Sequence, residues 1–368
     1  MKNLAIIGAS YLQLPLIKKA KEMGYTTHVF AWAAGDVGEK EADFFYPISI
    51  VEKEAICAEC KKIGINGICS IASDLAAITV NYVANQLGLV SNSMESTQKS
   101  TNKFHMRNTF KECGDPSPNS YLVDNNTNFD ELSIKFPAIV KPIDRSGSRG
   151  IYKINCMEEI HDAVSNAIKE SFEKKALLEE FVEGKEYSVE YISYRGKHYF
   201  LALTLKETTG APHFIETGHM EPAPIDEEKL DEIKKVVEHA LNSLGLENGA
   251  SHSEIKIDDD GTIKIIEIGG RMGGDCIGSD LVQYSTGIDF VKAVIDVSCG
   301  KEPDLTVKSS PQPARILFIM TEADIIEFER VKRLEADKIL KVVDEPNIDL
   351  IGQTTDSSNR AGCYIVKA

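Results

Sequence analysis

The sequence predicts a protein of mixed α/β and α+β class, an open parallel sheet followed by strand-rich segments, on three observations. Its 368 residues suffice for two or three domains. Strand-like and helix-like runs alternate through the first ninety residues, the βαβ rhythm of an open parallel sheet with helices on its faces. Beyond residue 130 short β-rich runs are interrupted by a few helices, the clearest at 226–244.

Each element follows from local pattern. Residues 4–8 form a short apolar run ending in Gly8, a first strand. Leu12, Leu16, Ala20 and Met23 recur at helical spacing. Residues 27–32 are β-rich, 53–63 read as helix, 67–72 as strand, and 74–87 as a helix that Asp74 is placed to cap. Open parallel sheets bind ligands beyond the carboxyl ends of their strands, so the loops after Ile7 and Ile71 face any cleft. The first of these, GASYLQ, lacks the later glycines of a dinucleotide fingerprint, which argues against NAD.

Residues 91–101, SNSMESTQKST, are polar and aperiodic and read as a boundary. A helix at 103–111 is broken by 114–118. Strands follow at 136–141 and 151–154, a helix at 158–170, and strands at 177–181 and 186–193 around Glu183 and Gly184. Leu230, Ile233, Val236 or Val237, Ala240, Leu241 and Leu244 line one face of the helix at 226–244. Residues 253–257 and 263–268 make a hairpin. The last sixty residues read as short strands with one charged helix near 324–335; Arg315 and Arg360 are candidates for the cleft that no spacing establishes.

Lys plus Arg number 41 against 57 Asp plus Glu, a net charge of −16, so no broad basic surface for nucleic acid or anionic lipid is expected. No apolar run is long enough to span a membrane. The N-terminus MKNLAIIGAS lacks a full signal-peptide core and cleavage site and reads as the start of the fold. Eight scattered cysteines, including the single CxxC of Cys57 and Cys60 on a helix, read as reduced thiols of a cytoplasmic protein.

Three segments can carry chemistry. In FPAIVKPIDRSGSRGIYKI, 136–154, a strand delivers Lys141 at its end, and the small-residue loop 146–150 follows. Successive N–H groups of such a loop can ring an anion, and the lysine adds a compact positive charge, a pairing that suits nucleotide phosphates. It is not a Walker A loop, and by pattern alone a plain hairpin is as good a reading. In SHSEIKIDDDGTIKIIEIGGRMGGD, 251–275, a two-residue type I′ turn at Asp260 and Gly261 would set Glu254 directly opposite Glu267. A four-residue loop would stagger them on one face; a three-residue loop would separate the faces. Like charges opposed in a sheet repel, and a divalent cation between them resolves this. Two carboxylates on a solvated face are the bland alternative, but Glu267 interrupts the apolar run IKIIEIGG, where a charge is costly unless employed. Arg271, flanked by glycine pairs, suits a forked grip on carboxylate or phosphate. In LLEEFVEGKEYSVEYIS, 177–193, a base could lie against Leu178 and Phe181 and a ribose at Glu186, although periodicity alone says only hairpin.

The order of these pieces resembles the ATP-grasp superfamily of carboxylate–amine and carboxylate–thiol ligases. Lys103 stands before a helix, Lys141 before SGSRG, then come EEFVEGKE and the trio Glu254, Glu267 and Arg271. The resemblance implies the ATP-grasp fold. An N-terminal α/β domain would cover 1–98, and an ATP-grasp domain 99–308, its lid at about 118–185. A β-rich segment, 309–368, would complete the substrate wall. It implies ATP and magnesium, or manganese, as cofactors. Lys103 and Lys141 would contact the phosphates, and Ser146, Gly147, Ser148 and Gly150 would belong to the loop that closes over them. Glu179, Glu180, Phe181 and Val182 would meet the adenine, and Glu186 the ribose. Glu254 and Glu267 would hold the metal. Arg271 and Lys141 would be catalytic, with Arg271, His219 and Gly273 facing the substrate. Many members carry an Asn two residues after the second metal Glu; here it is Gly269. That departure, with HSE…IEIGGRMGGD and ETGHMEPAPI, is more similar to the L-amino acid ligase branch. Small-molecule carboxylate and amine substrates and a homodimer are implied. Purine-biosynthetic or carbamoyl-phosphate-type ligation is the alternative, and a nucleotide-binding regulator without turnover a second.

Overall fold

The computed structural model describes residues 2–147, 149–210, 214–357 and 359–368. A first sheet is wholly parallel, ordered Phe44–Tyr46, Tyr25–Phe30, Lys2–Ile7 and Gly67–Cys69. Helices Leu14–Glu22, Lys53–Ile63 and Asp74–Leu87 accompany it. Ser73, not Asp74, caps the last of these, its hydroxyl accepting from the Ala76 N–H at 3.2 Å. Asp74 is thereby free to point elsewhere. The polar stretch read as a boundary is a helix, Met94–Thr101, capped by Ser93. Its sequence lacks an apolar stripe because only small polar residues, Ser96, Thr97 and Ser100, face inward.

A second, antiparallel sheet is ordered Ser120–Val123, Ala176–Glu180, Ala138–Pro142 and Tyr152–Ile154, with helix Ile160–Glu170 against it. The third sheet has eight strands, ordered Ile263–Gly269, Gly249–Ile257, Lys185–Tyr194, Lys197–Thr208, Glu216–Glu221, Ala314–Ile319, Gly362–Lys367 and Ile339–Asp344. The C-terminal segment thus adds three strands to the sheet that carries the carboxylate hairpin.

The large sheet has an oily face and a polar one. Tyr187, Val189, Tyr191, Leu203, Ile255 and Ile265 pack against Ile233, Val237, Ala240, Leu241 and Leu244 of helix Glu227–Leu244. Asp226 caps that helix by accepting from the Lys229 N–H at 2.8 Å. Each such aliphatic contributes about 1.5–3 kcal/mol of burial. The alternate residues Glu186, Ser188, Glu190, Thr204, Lys206, His252 and Glu254 lie on the other face. Helix Phe290–Ser298, which the sequence reading passed over, joins the first sheet to the third through Phe290, Val291, Val294, Ile192 and Leu201.

The carboxylate hairpin is built differently from the expectation, with the same result. Gly261 has φ +82° but Asp260 is not left-handed, so no type I′ turn forms. The innermost pair is Ile257 with Ile263, and residues 258–262 form the loop. That loop alone would turn the two carboxylates to opposite faces. A β-bulge at Ile266 restores them: Ile255 pairs with Ile265, but Glu254 pairs with Glu267. The carbonyl that the bulge displaces is satisfied by Arg107, whose Nη2 donates to Ile266 O at 2.6 Å.

Strands Ala176–Glu180 and Lys185–Tyr194 lie in different sheets and do not pair, so the segment 177–193 is a crossover between sheets and not the hairpin its periodicity suggests. Gly184 in that crossover has φ +112°, and an added Cβ would lie 2.2 Å from the Ile257 carbonyl oxygen. Gly184→Ala is therefore expected to lower stability by about 2–3 kcal/mol, read by denaturant unfolding. An unchanged midpoint would contradict this account of the crossover.

Candidate active site

The polar face of the large sheet, the end of strand Ala138–Pro142 and the N-terminus of helix Lys103–Cys113 line one cavity of about 150 Å³. Lys103, Lys141, Lys206, Glu254, Glu267 and Arg271 all line it, as do Ser146 and Gly147 of the small-residue loop. Gly147 and Gly150 sit at φ +72° and +68°, conformations that glycine adopts without strain. Ser148 lies outside the described residues.

Each of the paired carboxylates is met by a lysine from another strand or helix. Lys206 Nζ lies 2.6 Å from Glu254 Oε1 and 2.8 Å from Glu186 Oε1. Lys103 Nζ lies 2.7 Å from Glu267 Oε1 and donates to the Arg145 carbonyl at 2.8 Å. Burial works to raise the Glu254 carboxyl, but Lys206 and then His252 outweigh it and hold it well below the usual range. Burial likewise works against the charged Lys206, but Glu186, Glu254 and Glu216 outweigh it and keep the ammonium firmly protonated. Lys206 is absent from the sequence reading. Its signal was available: it follows the alternation of HYFLALTLK, so its side chain falls on the polar face.

Lys141 is buried in an ion pair with Glu179, whose Oε2 also accepts from Arg107 Nε at 3.0 Å. Burial pushes the Lys141 ammonium down, against the pull of Glu179. Burial raises Glu179, but Arg107 and Lys141 together bring it below its ordinary value. The Glu179 carboxylate is thus committed to two cations. Glu180 points away from the cavity, its Oε1 accepting from Asn119 Nδ2 at 2.7 Å. Phe181 and Phe214 face each other with centroids 6.0 Å apart in an adjoining pocket shared by Glu186, Lys206 and Lys256. Lys256 Nζ donates to the Val182 carbonyl at 3.2 Å.

Arg271 reaches across to the first residue of helix Asp74–Leu87, beside the parallel sheet. Its Nε and Nη2 donate to Asp74 Oδ1 and Oδ2 at 2.8 and 3.1 Å, a forked pair. This explains the departure at Gly269: a Cβ there would stand 2.9 Å from Asp74 Oδ1. Gly273 is held by its N–H, which donates to Glu190 Oε2 at 3.0 Å, and a Cβ would strike Glu190 and His252. Glu190 is fully buried and paired with His252 Nδ1, and His252 Nε2 faces Glu254 at 3.5 Å. His219, directly opposite Lys206 in the sheet, is buried with Nε2 3.7 Å from Asp275.

The donor set fits a divalent cation carried by a nucleotide. Two carboxylates share one face, both partly exposed to the cavity, with lysines nearby that can turn to phosphate oxygens. Among the described residues no cluster of three or more His, Cys, Asp or Glu could hold a metal alone. Phosphate oxygens and water would complete the shell.

Glu221, beneath this face, is fully buried between Thr204 Oγ1 at 2.6 Å and Ser285 Oγ at 2.5 Å. Burial pushes its carboxyl up to about 7 from 4.5. The folded state therefore holds a proton that the unfolded state releases between those values, so stability falls as pH rises from 4.5 through 7. The full effect is on the order of 3 kcal/mol. Glu221→Gln is expected to flatten that slope in unfolding curves taken from pH 4.5 to 8; an unaltered slope would refute it.

Residues 134–280 match the ATP-grasp domain family. An alanine–anticapsin ligase from Bacillus subtilis is 28% identical over 301 residues, covering 72% of this chain and 63% of that protein. The chain thus spans less than two thirds of that curated relative. The crystal structure of an L-amino acid ligase from Bacillus licheniformis superposes with a TM-score of 0.83 at 22% identity, over all of this chain and 93% of the other. A phosphoribosylglycinamide synthetase from Anaerococcus prevotii gives 0.78 at 23%, over all of this chain and 94% of the other. These likenesses show the fold, and no helix among the described residues is long and apolar enough to cross a membrane. The chain thus carries a segment, residues 134–280, that matches the ATP-grasp domain family, within a fold shared with ATP-grasp ligases of known structure.

Proposed function

We propose that this protein is an ATP- and magnesium-dependent ligase that activates a carboxylate as an acyl-phosphate and joins it to an amine, with amino acids as substrates. One observation carries the reading: Glu254 and Glu267 stand opposed on the sheet face that also presents Lys206, with Lys103, Lys141 and Arg271 around the same cavity.

The nucleotide's phosphates would lie under the 146–150 loop, with the base toward Phe181 and Phe214 and the ribose toward Glu186. Glu254 and Glu267 would hold the magnesium, which would supply charge neutralisation of the phosphates. Lys103, Lys141 and Lys206 bring three further positive groups to the place where charge moves, fixed beforehand by their carboxylate partners. Arg271, oriented by Asp74, directs Nη1 among the described residues only at the Met272 carbonyl, at 3.3 Å, and can offer it to the substrate carboxylate. The carboxylate oxygen attacks the γ-phosphorus and ADP leaves. The amine then attacks the acyl carbon, inorganic phosphate leaves, and the amine's surplus proton passes to solvent. Because water would destroy the acyl-phosphate, closure of the loop has a chemical purpose.

Amino acid substrates are supported by the names of the similar proteins, an alanine–anticapsin ligase and an L-amino acid ligase. The resemblance also supports a homodimer, and the eight free thiols suit a cytoplasmic setting. The test is ADP release with pairs of amino acids, followed by mass analysis of the product. ADP release with ribonucleotide amines and none with any amino acid pair would replace this reading with a purine-type ligation. ATP binding with no ADP from either panel would leave a regulator.

A further inference from the structure

Glu190 is a carboxylate on the polar face that the acyl-phosphate chemistry does not touch. It is fully buried, directly opposite His252 in the neighbouring strand. Burying such a charge is costly unless it is paired and employed. Its Oε1 pairs with His252 Nδ1, and its Oε2 accepts from the Gly273 N–H at 3.0 Å. The backbone closes tightly over this pair: a Cβ at Gly273 would stand 2.7 Å from Glu190 Oε1 and 2.8 Å from His252 Nδ1. One ring nitrogen of His252 is thus fixed, and the ring with it. A carboxylate on one imidazole nitrogen sets the direction in which the other works.

That other nitrogen points along the wall of the nucleotide cavity, which His252 lines. His252 Nε2 lies 3.5 Å from Glu254 Oε1, too far for a good hydrogen bond. Lys206 Nζ holds the same oxygen at 2.6 Å. Both donors therefore address Oε1 of Glu254, and neither addresses Oε2. Directly opposite His252 in the carboxylate hairpin stands Gly269, which has no side chain, so no cross-strand neighbour competes with the imidazole at that level of the face.

We infer that His252, held by Glu190, is a positioning residue for the metal-binding carboxylate: when Lys206 turns to the nucleotide phosphates, the His252 Nε2–H takes its place on Glu254 Oε1 and keeps the second oxygen presented to the cation. The inference rests on the ligase reading and adds to it how Glu254 keeps its aim once its lysine has left. A glutamate released by its only close donor regains rotamer freedom, and ordering it again weakens the binding of whatever it holds. The exchange of donors needs no backbone movement, because the imidazole already stands 3.5 Å from the oxygen it would take over.

Two substitutions in the full chain separate the ring nitrogens. His252→Asn keeps an amide where Nδ1 meets Glu190 and offers nothing at Nε2. His252→Gln reaches the Nε2 position and leaves Glu190 with the Gly273 N–H alone. The readouts are the calorimetric affinity for a non-hydrolysable ATP analogue, in excess magnesium and in EDTA, and a thermal melt; neither involves turnover. Magnesium is expected to tighten the analogue on the wild type. His252→Asn should lose about tenfold or more of that tightening, and keep both its affinity in EDTA and its melt. His252→Gln should keep part of the tightening and melt at a lower temperature. A role in packing alone would move the melts and leave the magnesium effect untouched. Full tightening in His252→Asn overturns the inference, as does an equal loss in magnesium and in EDTA. A Gln variant that gains no more from magnesium than the Asn variant overturns it too. No tightening by magnesium on the wild type would overturn the metal site of the ligase reading and this inference with it; tightening that both variants retain in full would overturn this inference alone.

Discussion

Glu267→Gln is expected to lower ATP-dependent ADP release by about two to three orders of magnitude, the loss seen when one preorganised charge partner of a reacting group is removed. The substitution keeps the size of the side chain and its position opposite Glu254. It removes the negative charge that a nucleotide-borne cation would need. Lys103 remains tied to the Arg145 carbonyl at 2.8 Å, and the new amide oxygen can still accept from it. Stability should therefore change by only about 1 kcal/mol. A coupled ADP assay and a thermal melt check the two statements separately. An enzyme that keeps a tenth of its turnover would remove Glu267 from the chemistry, and a collapsed melt would make its role architectural.

Lys141→Ala is expected to abolish phosphate release in the presence of substrates, by about a hundredfold or more, and also to weaken the fold. Lys141 is one of two cations holding the buried Glu179. Without it Arg107 alone must compensate that carboxylate, a change on the order of 3 kcal/mol. The double variant Lys141→Ala, Glu179→Gln separates the effects. It should recover much of the stability, because the buried charge has gone, and none of the activity, because the phosphate contact has gone with the lysine. Recovery of turnover in the double variant would show that Lys141 matters only as a partner of Glu179.

How much of this was legible in the sequence depends on whether the information is local. The parallel sheet was readable because its strands and helices each carry their own period, and Lys53–Ile63 and Asp74–Leu87 fall where the apolar spacing puts them. Glu254 facing Glu267 was reached through a turn that does not form; the bulge at Ile266 that produces it depends on Arg107, some 160 residues earlier, and no local pattern contains that. Helix Met94–Thr101 was read as a boundary because its buried face is made of hydroxyls. Lys206 escaped notice although its strand alternates, since a lone lysine at a strand end is ordinary until its neighbours are known to be three glutamates. Asp74 was read as a cap, and its partner Arg271 lies at the other end of the ATP-grasp core.

That last pair has a mechanical meaning. Where many relatives by resemblance place an extra ligand, this chain has Gly269, and the vacated space holds an ionic tether from helix Asp74–Leu87 to the loop beyond the hairpin. A hinge movement of the first sheet would tug directly on Arg271, so the posture of the parallel sheet with its helices and the aim of the guanidinium are one degree of freedom.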